Sequence, residues 1–587
     1  MQRRVSMNNF DNIIESIRNE LNNAISDLNI PGLAFTLVSK NELLLLECLG
    51  HLEMEKVNDV NAESLFCLQS TTKTVTAVVF LLAVQNGLVQ LDDPVIKYYP
   101  DFAVNSRYRV DQGNKITFRH LLSHTSGLAR ESRDGGVFDH KKPTWREHIL
   151  GINNSWLKFP VGTSFAYSNI GMDLITYILE QILGKFYPEL IQDLLGDPLG
   201  IKFVFNIDFS STHNVSRGYL GSYLADELDT AYGCGGIFIS IKDMGTFIRF
   251  LLNRGKYNGK EILKEEYFSL LLETDKAGGY SLGTDVKNQF GTVFYSHPGG
   301  GFGYCSELFW SPDHDFGLSL LYNQEYTDLS KVKKLLINFI SSILRNKGVN
   351  VDGSKFPPEG TFKVEVDPNS LKNYIGYYVG AFVKVIVNFD EKGLYLDYGE
   401  QTDYLIPLNE KVFTANIPDG VIFLFNDDND PIGMHYYSKT EGIVNLDYKG
   451  KIPKPVEVNK EVSRFEGIYQ IGLYYTEALY IAVKYVNNAL QVKGFINGNL
   501  YPHPNRKNVF FIHTGAAVVF ENDYLLVDNV RGFKITQPVE YFSDLVANDP
   551  KHKFLTEWMV NSVISLLKYL ERDEEFARIE EITKKNF

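Results

Sequence analysis

The strongest constraint on this chain is a run that has to be buried. From Val75 to Val84 the sequence reads Val-Thr-Ala-Val-Val-Phe-Leu-Leu-Ala-Val; small and hydroxylated residues, Gln69-Ser70-Thr71-Thr72-Lys73-Thr74, lead into it and Asn86-Gly87 closes it. That pattern predicts a buried helix with capping residues at both ends, around which the rest of the chain is organised. Ser70 falls in its first turn. Lys73, three residues on, shares its face, which sets an amine beside a hydroxyl. A serine hydroxyl becomes a nucleophile at neutral pH when a neighbouring base takes its proton, and a helix N-terminus favours the negative charge that develops there. Ser-x-x-Lys is a recorded spacing for serine acyl transfer, but so short a pattern recurs by chance and needs support elsewhere.

Composition narrows the class. A chain of 587 residues should hold several domains, and 44% hydrophobic with 22% charged residues is the balance of a globular protein. The net charge of -14 argues against a nucleic-acid surface, which needs clustered Lys and Arg. Cys48, Cys67, Cys234 and Cys305 are scattered without a Cys-x-x-Cys pair, so reduced thiols are expected, with neither a disulfide framework nor a metal site. No apolar h-region follows the basic start Met1-Gln2-Arg3-Arg4, and no run approaches the length of a membrane helix. A cytoplasmic protein with no membrane partner is the expectation.

In chain order, Phe10, Ile13, Ile14, Ile17, Leu21, Ile25 and Leu28 recur at helical spacing, and Pro31-Gly32 ends that helix. Leu33 to Val38 and Leu43 to Cys48 flank the turn Ser39-Lys40-Asn41 as an antiparallel hairpin. Ile116 to Leu128 reads as a short helix running into a turn; His120 and His124 there lack a Glu or third His nearby, so packing and capping suit them better than metal ligation.

Two further clusters stand out. Phe165-Ala166-Tyr167-Ser168-Asn169 precedes a helical run from Met172 to Leu183, so Tyr167 and Asn169 project to one side of a loop. A cationic lysine beside a tyrosine lowers its pKa and makes the phenolate a usable proton acceptor, although a tyrosine before a helix more often only packs. Tyr295-Ser296-His297-Pro298-Gly299-Gly300-Gly301 is the other: its glycines allow close backbone approach to a ligand, with N–H groups available to an oxyanion. Read alone, it is equally a tight turn between strands Thr292–Ser296 and Tyr304–Trp310.

Ser70-x-x-Lys73, then Tyr167-x-Asn169, then His297-Pro298-Gly299, in that order, resembles the serine β-lactamase and penicillin-binding-protein superfamily. Leu88 to Pro94, Arg119 to Leu128 and Tyr232 to Ser240 are similar to its class C β-lactamase branch, which includes family VIII carboxylesterases, D-aminopeptidases and DD-carboxypeptidases. The resemblance spans roughly 10–345 and implies an α/β (α+β) domain, an antiparallel sheet flanked by helices plus a helical subdomain, with Ser70 between the two parts. It implies Ser70 as acylated nucleophile, Lys73 and Tyr167 sharing the proton work, Asn169 orienting substrate or lysine, and the N–H groups of Ser70 and Gly300 as the oxyanion hole beside Gly299. His297, where true β-lactamases carry lysine, would bind a substrate carboxylate or polarise Tyr167. No cofactor is implied.

The remaining chain is a separate matter. The expected division is a hydrolase domain over 1–350, a linker over 351–370, a lipocalin-like β-barrel module over 371–452, a second β module over 453–540 and a C-terminal helix within 541–587. Phe465-Glu466-Gly467-Ile468-Tyr469 echoes Tyr374-Ile375-Gly376-Tyr377, which makes the two modules related. Their aromatic loop Tyr474-Tyr475-Thr476-Glu477 is expected to reach the active-site mouth, and the modules offer a surface for a homo-oligomer. The functional expectation is a serine hydrolase, foremost a carboxylesterase on small-molecule, short-chain esters. The alternatives are a D-aminopeptidase or other peptidase or β-lactam-hydrolysing enzyme acting on amides, and an inactive binding or scaffold protein.

Overall fold

The computed structural model describes residues 2–108, 112–135, 143–225, 231–274, 279–325, 327–351, 356–357, 363–381, 383–398, 401–416, 420–438, 442–474, 477–522, 524–548 and 553–586. Helix α1 (Gln2–Asp27) leads into strands β1 (Gly32–Val38) and β2 (Leu43–Gly50), the expected hairpin. β1 then pairs with Phe316–Tyr322, nearly three hundred residues on, and the antiparallel order continues through Tyr304–Ser311 and Thr292–Gly301 to Asp285–Gln289.

β1 shows why its sequence is apolar throughout. Leu33, Phe35 and Leu37 face α1 and the helix Leu329–Asn346, where Phe35 meets Phe339 edge-on at 5.8 Å. Ala34 and Val38 face the other way, into the core built around the buried helix, and Thr36 meets Gly245 of the helix Ile241–Leu252. A strand covered on both faces has no solvent side on which to alternate polar residues.

That buried helix is α2 (Thr72–Gln85), in which every residue from Thr72 to Val84 is buried. It starts later than its sequence suggests. Leu65–Cys67 is a strand, β3, paired with Phe238–Ser240, and Gln69–Thr71 forms a tight 3-10 turn, so Ser70 stands in that turn ahead of the helix. No side chain caps α2, because the Thr71 hydroxyl is spent on a neighbouring strand: it donates to the His297 carbonyl at 2.9 Å and contacts Ser306 Oγ at 2.8 Å. The glycine-rich cluster also departs from the turn reading. Residues 297–301 are strand, and the reversal falls at Phe302-Gly303.

Around α2 lie α3 (Phe118–Leu122), α4 (Trp145–Leu150) and α5 (Asn169–Leu183). His120 caps α3 as expected, its ring nitrogen accepting the Thr117 N–H at 3.1 Å while its own N–H goes to Thr117 Oγ1.

The C-terminal part holds two β structures. In the first, strands from Gly376 to Tyr448 surround a core that includes Tyr378, Val387, Leu396, Phe413 and Phe423. One kinked stretch joins its ends: Thr402–Tyr404 pairs with Gly393–Asp397, and after Leu405 the residues Ile406–Pro407 pair with Val412–Thr414. The pairing of Ile443 with Asn288 makes this module continuous with the sheet that contains β1 and β2. The second is a closed barrel running from Gly467–Tyr474 to Val530–Ile535. Three helices follow where one was expected: Pro538–Asn548, Lys553–Tyr569 and Asp573–Asn586. Val560, Val563 and Leu567 cover Ile468, Tyr480 and Ala482 on the barrel's outer face.

Both modules dock on the N-terminal part of the fold. The barrel seats Trp156 among Val509, Phe511, Ala517 and Val519, flanked by ion pairs Lys158–Asp528 (2.6 Å) and Arg531–Asp134 (2.8 Å). Ala381 of the first module packs on Phe165 and Tyr280, with Tyr167 at the edge of that cluster. Tyr475 and Thr476, the centre of the loop expected at the active-site mouth, lie outside the described residues. Truncation after Arg345 therefore uncovers large apolar side chains, each worth about 1.5–3 kcal/mol when buried. The shortened protein should melt at least about 5 °C below the full chain, by differential scanning calorimetry; an unchanged Tm for its hydrolase transition would contradict the docking.

Candidate active site

The site forms where the Gln69–Thr71 turn is held against the strand Thr292–Gly301. Besides the Thr71 bond to His297, Ser306 Oγ donates to the Leu68 carbonyl at 2.6 Å. Gly299, opposite Ser306 in the ladder, completes the fit: a Cβ there would stand 2.2 Å from Leu68 O and 3.1 Å from Ser70 N. Only glycine lets the strand lie this close to the Ser70 turn. Gly300, its neighbour, is exposed, and a Cβ built there would meet nothing nearer than Cys305 Sγ at 4.0 Å.

Ser70 is half-buried and Lys73 fully buried. Lys73 Nζ donates to Ser70 Oγ at 3.1 Å and to the Cys234 carbonyl at 2.7 Å, and lies 4.8 Å from the centre of the Tyr167 ring. The Cys234 carbonyl is itself fixed from α5. Buried Asp173 accepts the Gly233 N–H at 3.1 Å and the Cys234 thiol at 3.4 Å, and meets His148 at 3.2 Å. Burial, then the Asp173 charge, push the Cys234 thiol well above its ordinary value, so it is inert.

Tyr167 is backed by a fully buried histidine. The His124 ring lies 4.5 Å from that of Tyr167 and 4.9 Å from that of Tyr280, and its Nδ1 accepts the Ser168 N–H at 3.3 Å. Burial, followed by Lys73, His297 and Arg130, lowers its pKa well below the ordinary value, so the ring is neutral. Asn169 donates Nδ2 to Glu131 at 2.6 Å, and its Oδ1 is buried without a hydrogen-bond partner. Burial raises the Glu131 pKa against the opposing pull of Arg130, Asn169 and Lys73.

His297 stands in the strand beside the Ser70 turn. It is buried, and its Nδ1 lies 2.7 Å from the Pro298 carbonyl, which only accepts; Nδ1 therefore carries the proton. Nε2 then accepts from the Tyr280 hydroxyl at 2.9 Å. Burial, with Lys73 next, draws its pKa down to about 3, so no positive charge stands at this position near neutral pH. Beside the Gln69–Thr71 turn a cavity of about 500 Å³ is lined by Gln69, Asp208, Arg217, Tyr232, Phe302 and Tyr304.

Ser70, Lys73, Tyr167, His297 and Gly299 thus converge, with Asn169 held by Glu131 at the start of α5. Asp173, Glu131, His124 and Tyr280 were not singled out as site residues from the sequence. Asp173 alone left a readable signal, an acid inside the apolar run from Ile170 to Leu179.

A family model described as Beta-lactamase matches residues 10–339. The chain belongs to the beta-lactamase family. Within it, "Protein flp" of Staphylococcus aureus (strain MW2) is 25% identical over 334 residues, 54% of this chain and 64% of that protein. The D-alanyl-D-alanine-carboxypeptidase/endopeptidase AmpH of Escherichia coli (strain K12) is 28% identical over 203 residues, 33% of this chain and 51% of AmpH. The chain thus spans less than two thirds of the length of these curated relatives. Among solved structures, SurE matches with a TM-score of 0.55 at 18% identity, covering 75% of this chain and all of SurE, a likeness of fold.

The beta-lactamase-family site makes a pH prediction. His297 stays neutral in the folded protein down to about pH 3 but titrates near 6.5 once unfolded, and the His124 shift has the same sign. The unfolded chain binds more protons in that window, so stability falls as pH drops from 6.5 toward 3, by up to about 1.4 kcal/mol per pH unit for each histidine. Denaturant melts should show this decline, shallower in His297→Asn; equal slopes would contradict it.

Proposed function

We propose that this beta-lactamase-family serine hydrolase works through an acyl-enzyme on Ser70 and acts foremost as a carboxylesterase on short-chain esters. The observation that carries the reading is the buried Lys73 ammonium 3.1 Å from Ser70 Oγ and 4.8 Å from the centre of the Tyr167 ring. Ser70 Oγ attacks the ester carbonyl while its proton passes to the Tyr167 phenolate oxygen, which the Lys73 cation steadies. The oxyanion is met by the N–H groups of Ser70 and Gly300, with Gly299 keeping the strand close. Tyr167 gives that proton to the departing alkoxide; a water then attacks the acyl-enzyme as it passes a proton to Tyr167, and Ser70 Oγ takes that proton back as the acid leaves. Asn169, steadied by Glu131, orients substrate or lysine.

Neutral His297 favours esters over β-lactams. A β-lactam carries a carboxylate that a lysine at this strand position would hold, and His297 supplies no charge and has both nitrogens engaged. Esters need no such anchor and expel a better leaving group than an amide. A second reading, hydrolysis of peptides or amides with D-residues, has support from the similarity to AmpH.

A substrate panel separates the readings. kcat/KM for p-nitrophenyl acetate or butyrate should exceed that for nitrocefin and for D-aminoacyl p-nitroanilides, and Lys73→Ala and Tyr167→Phe should each lower it by about a hundredfold or more. Faster turnover of nitrocefin refutes the ester preference, and faster turnover of the D-aminoacyl substrates establishes the second reading.

A further inference from the structure

Against a net charge of -14, one cavity is walled by cations. It measures about 260 Å³ and lies where the parts of the fold meet: Arg107 and Lys158 come from the hydrolase domain, Lys384 from the first β module, and Lys449 and Lys451 from the run leaving that module, while Thr514 of the barrel closes one side. Among the described residues no Asp or Glu lines it.

The positive charge is only partly compensated. Lys158 pairs with Asp528 at 2.6 Å and Lys449 with Asp447 at 3.2 Å. Arg107 stacks over the Phe511 ring at 4.6 Å and donates to the neutral Tyr108 hydroxyl, leaving its Nε buried without a partner. Among the described residues Lys384 and Lys451 form no ion pair. Lys384 is an exposed side chain at the cavity's edge, with Lys158 and Arg130 as neighbouring cations and Asp528 as the opposing charge. Like charges gathered in a crevice of reduced dielectric repel, and an anion among them turns that repulsion into attraction.

We propose that this junction binds a small multivalent oxyanion of the phosphate class. The planar Arg107 guanidinium, fixed by stacking, suits two oxygens at once, and the lysines act as point charges around them. The volume admits a diphosphate or a small phosphate ester. Phe165 and Ala166 form part of the wall and immediately precede Tyr167, so an occupant also braces the segment that carries that tyrosine.

Isothermal titration calorimetry of the full chain with inorganic pyrophosphate, against sodium chloride at matched ionic strength, tests this. One saturable site of micromolar Kd is expected. Lys384→Gln and Lys451→Gln, which break no ion pair, should each weaken it about tenfold or more, the worth of one hydrogen bond to a charged group. Lys242→Gln, which removes a surface lysine paired with Glu63 elsewhere, should leave it unchanged. Pyrophosphate should also raise the Tm of the parent protein more than that of Lys384→Gln. No saturable heat, no weakening by the Lys384 and Lys451 substitutions, or an equal loss in Lys242→Gln overturns the proposal.

Discussion

The structure depends on one contact, the docking of the Gln69–Thr71 turn against the strand Thr292–Gly301. Two hydroxyls and one missing side chain make it: Thr71 donates to His297 O, Ser306 donates to Leu68 O, and Gly299 has no Cβ to collide with the turn. The contact joins residues more than two hundred positions apart, the N-terminal end of the buried helix and a strand in the middle of the sheet. Ser70 is thereby fixed at the boundary between sheet and helical layer, where a substrate carbonyl can reach it.

The buried charges around Lys73 follow from the same arrangement. An ammonium inside a protein needs acceptors, and the Cys234 carbonyl and Ser70 Oγ serve. Asp173 contributes indirectly: it holds the Gly233-Cys234 turn in place and so aims the carbonyl. His124 and His297, both neutral by burial, add aromatic walls and hydrogen bonds around Tyr167 without adding a second cation beside Lys73.

Much of this was legible in the residue pattern, and the failures have physical causes. The hairpin of β1 and β2 and the buried α2 follow from apolar runs bounded by turn residues, and the order of the three motifs pointed to the family to which the chain belongs. The start of α2 was misplaced because Ser and Thr resemble caps whether their hydroxyls bond their own helix or, as with Thr71, a distant strand. Residues 297–301 were open to a turn reading because glycine serves tight turns and close strand approaches alike. Glu131 and His124 were unreadable as site residues, since only the tertiary fold brings them beside Asn169 and Tyr167. The C-terminal β strands showed their alternation, but not that Ala381 and Trp156 would seal them to the hydrolase domain.

The central claim is that Ser70, in this turn, is the activated nucleophile. Intact-mass spectrometry after treatment with a fluorophosphonate probe tests it most directly. The account predicts one stoichiometric adduct on the parent protein, mapped to the peptide containing Ser70, and none on a folded Ser70→Ala variant. An adduct of equal stoichiometry on Ser70→Ala, or none on the folded parent protein, would contradict it.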